Sequence, residues 1–179
     1  VISADGDEGY AFAVMGSYAV DTINNSGHIT GAVALYAGDD VFNNRNGGVW
    51  STNGTHSSDF GDGNDTINNL AGGLIDIQTG AITMGAGNDT LANAGTVRIG
   101  TGGTISFGDG NDSLTNAAGG LIDVVGGTIA MEDGNDTITN HGTFRLTGGT
   151  VTMGAGTNAF TNVGILKVLG TSAVDVGAA

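Results

Sequence analysis

Four aspartates, Asp65, Asp89, Asp112 and Asp136, stand 24, 23 and 24 residues apart, each inside the same turn. The turns read GDGNDTI (61–67), GAGNDTL (85–91), GDGNDSL (108–114) and EDGNDTI (132–138). A degenerate GAGTNAF (154–160) places Asn158 in the fifth slot, and Asp40 and Asp21 continue the series upstream. Carboxylates beside glycine carbonyls are hard oxygen donors, which suit Ca²⁺ better than Zn²⁺. One chemistry the series offers is therefore a Ca²⁺ row on Asp65, Asp89, Asp112 and Asp136, flanked by Asp62, Asp109 and Asp133. The competing reading is structural: each Asp caps its own turn by accepting from a backbone N–H two residues on.

Other groups offer less chemistry. His28, His56 and His141 fall in different repeats and make no metal set. The N-x-[ST] sequons at Asn64, Asn88, Asn111 and Asn135 are by-products of the GND[TS] turn, and Asn24 and Asn53 complete the set. The features that depart from the repeat are Arg45, Trp50 and the longer stretch 53–59. Trp50 could stack on a sugar, but it aligns with Ile75 and is expected in the core. No catalytic residue is assigned, and an enzyme is the least favoured class.

The aspartates need a scaffold that repeats with them. A period near 23 residues signals a repeat architecture. Within one period, a short apolar stretch around Ile67 and alternating runs over 74–77 and 81–84 are separated by Gly and Asn. That pattern predicts three short strands per repeat and no helix. Three strands in about 23 residues form one coil of a right-handed parallel β-helix, an all-β solenoid of about six to seven coils. Coils stack at about 4.8 Å, so each repeat position becomes a column.

Four columns are apolar throughout: Ile23/Phe42/Ile67/Leu91/Leu114/Ile138/Phe160, Ile75/Val97/Ile122/Phe144/Leu166, Val33/Ile82/Ile105/Ile129/Val151 and Leu35/Met84/Phe107/Met131/Met153. They are the expected core. Two polar columns are as regular. Asn25, Asn44, Asn69, Asn93, Asn116, Asn140 and Asn162 form a file expected at coil corners, where Asn tolerates left-handed backbone and stacked amides bond along the axis. Asp76, Arg98, Asp123, Arg145 and Lys167 form an outward charge column that favours correct register. At the same pitch, neighbouring ionised aspartates of the turn column repel by about 0.9 kcal/mol in water and roughly 3.5 at an effective dielectric of 20. Solvent, hydrogen bonds or a cation must offset that.

Composition narrows the partners. The net charge is −14, and all but two of the 18 acids are Asp. Such a surface disfavours nucleic acid and anionic membranes, which are bound through basic patches. The chain has no Pro to interrupt ladders, 35 Gly to form corners and no Cys, so disulfides play no part. The expected organisation is an irregular first coil over 1–20, regular repeats over 21–169 and an end strand or tail over 170–179. No signal peptide opens the chain and no capping helix is evident, so the expectation is a piece of a longer solenoid or a unit that stacks end to end.

The strings GNDTINNLAGGLIDI, GNDTLANAGTVRIG, GNDSLTNAAGGLIDV and GNDTITNHGTFRL resemble the passenger regions of bacterial autotransporters and related large surface adhesins, over about residues 20–169. The GxGND turns also resemble the calcium-binding nonapeptides of RTX proteins. They differ in occurring once per coil and in carrying Phe60, Met84, Phe107 or Met131 where the first motif Gly belongs. The first resemblance implies display or release outside the bacterial cell and a non-catalytic structural or adhesive role. Its partners would be a host or cell surface, or further copies through the solenoid ends. The second implies a calcium-stabilised module. A self-assembling filament subunit is the remaining alternative.

Overall fold

The computed structural model describes residues 2–3, 12–52 and 56–177. The expected irregular N-terminal segment lies partly outside these, as do Asn53 and part of the 53–59 stretch. Every element among the described residues is a β-strand. Three parallel sheets contain eight, eight and seven strands, and successive strands of the chain visit the three sheets in rotation. This is the expected parallel β-solenoid, about seven coils long. No helix among the described residues is long and apolar enough to cross a membrane.

The repeat dictates the register. In the third sheet Thr66–Asn69 pairs with Thr90–Asn93, which pairs with Ser113–Asn116, then with Thr137–Asn140 and Ala159–Asn162. Leu91 lies beside Ile67 and Leu114, and Asn93 beside Asn69 and Asn116. In the first sheet Ile75 lies beside Trp50 and Val97. Trp50 is fully buried there, its Nε1–H donating to Gly31 O at 3.1 Å. It is core, as its alignment required, and its polar edge is satisfied.

The apolar columns fill the interior, with two additions. Ile77, Ile99, Val124 and Leu146 form a fifth buried column two residues beyond the Ile75 column. Ser58 interrupts the Val33–Ile82 column and is itself buried. Its hydroxyl accepts the Val33 N–H at 3.1 Å, closing a ladder position that an irregular coil leaves open.

The corners explain the glycines. Gly85 has φ +111°, and a Cβ on it would lie 1.7 Å from the carbonyl oxygen of Gly61 in the coil before. Gly102 has φ +84° with nothing within 4 Å of its Cβ position. The two separate backbone strain from steric exclusion. Gly102→Ala should cost about 1–2 kcal/mol, the left-handed penalty alone. Gly85→Ala should cost clearly more, because the clash is with backbone and the coil spacing must open. Urea titration of the two variants checks the order.

Candidate functional site

The third sheet places the polar files. Asp65, Ile67 and Asn69 alternate along one strand with Thr66 and Asn68, so Asp, Ile and Asn all face inward. The Asp file therefore lines one corner of the coil and the Asn file the other. Asp65, Asp89, Asp112 and Asp136 are 0–2% exposed, and Asp40 is equally buried.

Each buried carboxylate bonds to a neighbouring coil and not to its own turn. Asp89 Oδ1 accepts the backbone N–H of Asp65 at 2.7 Å, Asp112 Oδ1 that of Asp89 at 2.8 Å, and Asp136 Oδ1 that of Asp112 at 2.9 Å. Asp65 does the same for Asp40, and Asp40 for Asp21, both at 2.7 Å. The expected cap within one turn is replaced by a cap between turns. Coil stacking brings the next carboxylate over an N–H that the sheet ladder does not use.

The other oxygen is without a partner. Oδ2 of Asp40, Asp65, Asp89, Asp112 and Asp136 is buried and has no hydrogen-bond partner. Burial is the main force on their acidity, with the N–H bonds opposing it. Asp65 and Asp112 are pushed up to about 7 and Asp89 to about 6, while Asp40 and Asp136 are also raised. Adjacent acids add to the rise at Asp65 and Asp112.

The structure stacks Asp65, Asp89, Asp112 and Asp136 in one file but does not bring Asp62, Asp109 and Asp133 into it. Those three are exposed. Among the described residues no three carboxylate or imidazole groups converge as a metal-binding set.

The Asn file closes by itself. Each Nδ2 donates to the Oδ1 of the next coil's Asn, at 2.7 Å for Asn69–Asn93 and 2.8 Å for Asn93–Asn116, and also reaches a carbonyl in the next coil. The reason expected for Asn at these corners was partly wrong. Among the described residues the only non-glycine residues at positive φ are Tyr36 and Glu132. Asn is there for its amide, which is donor and acceptor at once, and glycines take the left-handed positions. Outside, a second polar row runs from the carboxylate of Asp39 through the amides of Asn64, Asn88, Asn111 and Asn135. Each Oδ1 accepts the backbone N–H of the next coil's equivalent residue.

The charge column is in register, Asp76 beside Arg98, Arg98 beside Asp123, Asp123 beside Arg145 and Arg145 beside Lys167. Among the described residues one ion pair closes in it: Arg145 grips Asp123 with Nε and Nη2 at 2.8 and 2.6 Å. Asp76 instead accepts from Gln78. One open surface furrow is bordered by Gly120, Gly142, Gly164, Leu121, Ile165 and His141, and another by Asp76, Gln78, Arg98 and Gly100.

The fold and its files define a class, the parallel β-solenoids with stacked polar ladders. Compared with protein-family models, curated proteins and solved structures, the chain matches none of them.

A buried asparagine of the file and an outward-facing one allow a direct comparison. Asn93→Ala removes a buried amide and leaves the Oδ1 of Asn116 and the carbonyl of Leu121 without their donor. It should cost about 1–3 kcal/mol. Asn68→Ala, whose amide bonds Asn43 at the surface, should cost under about 0.5 kcal/mol. Thermal denaturation of both variants measures the difference.

Proposed function

We propose that the chain is an extracellular structural or adhesive β-solenoid module of a secreted or surface-displayed bacterial protein, without a catalytic role. The observation that carries this reading is that the recurring polar residues hold coil to coil. The buried asparagines bond to one another, the buried aspartates bond to the backbone of the preceding coil, and the one ion pair closed among the described residues joins two coils. Chemistry on a β-helix needs a group of side chains that breaks the repeat and converges in a groove. The recurrent residues here serve length and stiffness. Placement at the cell exterior rests on the resemblance of the GNDT[IL] strings to autotransporter passengers.

A spacer made of equivalent coils tolerates loss of whole coils. Deleting residues 90–136 joins Asp89 to Thr137, which occupies the same repeat position as Thr90. The shortened chain should fold with the same circular-dichroism signature. Small-angle X-ray scattering should show the rod shortened by about 10 Å, two coil spacings. Saturable turnover of a polysaccharide or ester by the intact chain, lost in a folded deletion variant, would replace this reading with an enzymatic one.

A further inference from the structure

Five successive coils bury the same unpartnered atom, the Oδ2 of Asp40, Asp65, Asp89, Asp112 and Asp136. A carboxylate oxygen is an acceptor only, and no donor reaches it. The sixth coil shows which chemistry the position takes. Asn158 occupies the same slot, and its Oδ1 accepts the Asp136 N–H at 2.8 Å as each Asp does for the coil before it. Its Nδ2, which corresponds to the aspartate Oδ2, donates to the carbonyls of Met153 at 2.8 Å and Gly154 at 3.3 Å. By the repeat, those carbonyls correspond to Met131 and Glu132 at Asp136, Phe107 and Gly108 at Asp112, and Met84 and Gly85 at Asp89. The slot thus calls for an acceptor on one side and a donor on the other. An amide supplies both. A carboxyl group supplies both only with its proton.

The surroundings point the same way. Asp65 feels Asp40, Asp89 and Asp39, and Asp112 feels Asp89, Asp136 and Glu132. Asp40 feels Asp21 and Asp39, and Asp136 feels Asp133. No basic side chain among the described residues hydrogen-bonds to the file. Arg45 donates to Asn24 and Arg145 to Asp123, while Arg98 and Lys167 stand in the outward column of the first sheet. Ionised, the file would stack like charges at about 4.8 Å inside a protein interior.

We propose that the Asp file is a ladder of protonated carboxylic acids, each Oδ2–H donating to the turn carbonyl five residues back, so that the solenoid tightens when the file is protonated and loosens when it ionises. Ionisation releases one proton per aspartate to solvent and leaves an acceptor facing acceptors. The direction of the pH effect follows. The folded chain holds protons that the unfolded chain releases above its ordinary carboxylate value of 3.8. The stabilisation is therefore complete below about 3.8 and is lost as pH rises through about 6 to 7.

The test combines carbon-13 NMR of the aspartate carboxyls with thermal melting of the wild type and the double variant Asp89→Asn/Asp112→Asn, from pH 5 to pH 8.5, in EDTA. The carboxyls of Asp89 and Asp112 should titrate near 6 to 7, and the wild-type Tm should fall by about 10 °C or more over this range. The double variant should match the wild type at pH 5 and exceed it at pH 8.5. If the double variant does not fold, Asp136→Asn, next to the native Asn158, serves in the same comparison. Carboxyl midpoints at or below 4, or a Tm that the Asn substitutions leave equally pH-dependent, would overturn the proposal. So would a Tm at pH 8.5 that millimolar Ca²⁺ raises in the wild type but not in the Asn variant, which would make the file a cation row.

Discussion

In the regular coils each residue rests on its own equivalent. Parallel stacking at one coil per 22–25 residues in the regular part makes each position interact mainly with copies of itself. The constraint that follows is self-complementarity along the axis. An apolar side chain meets it trivially, because Ile on Leu on Leu on Ile buries surface in both directions. Polar side chains meet it only if one group can give and receive.

Asparagine and aspartate divide on that point. The amide has a donor at one atom and an acceptor at the other, so a column of seven closes without outside help. The carboxylate has acceptors only. Its file closes on one side because Oδ1 takes the N–H of the preceding aspartate. It stays open on the other because Oδ2 has nothing to receive. Two columns at opposite ends of one strand, both buried and equally regular, therefore carry different energetics. One is satisfied at any pH between the extremes; the other has its satisfaction tied to a proton.

The fold was legible because the period and the alternation agree. A 23-residue spacing with three alternating runs leaves few architectures, and four of the inward columns could be read from Ile67, Ile75, Ile82 and Met84 onward. The Ile77 column was missed because Ile77 closes a strand next to Gln78 and reads as a strand end, yet it points inward with Ile75. Ser58 was missed because its coil is irregular in length. The site was legible only in part. That the aspartates form a file followed from spacing. Their inward orientation did not, because Asp62 and Asp65 flank the same Gly63-Asn64 pair and look alike in sequence. A period-2 count from Asn69 back through Ile67 to Asp65 places the aspartate on the core face, and that signal was available. The bond between coils, in contrast, depends on the rise from one turn to the next, which spacing alone does not contain.

Self-similar columns raise a final problem, since a strand that slips by one whole coil meets the same column again. The apolar and asparagine columns cannot detect that error. Coil length can: the slot-to-slot distances of 19, 25, 24, 23, 24 and 22 residues are unequal, so a slipped coil must bulge or stretch. The outward column can as well, because Arg145 finds a bidentate carboxylate only at Asp123, and a slip of one coil sets it beside Arg98. Asp123 is buried while Arg145 is 43% exposed, so the desolvation of Asp123 offsets much of what the pair contributes to stability. The pair's place in a structure made of interchangeable layers is to make two of the layers distinguishable. Trp50, Ser58 and the Arg145–Asp123 pair do for register what the self-similar columns do for cohesion.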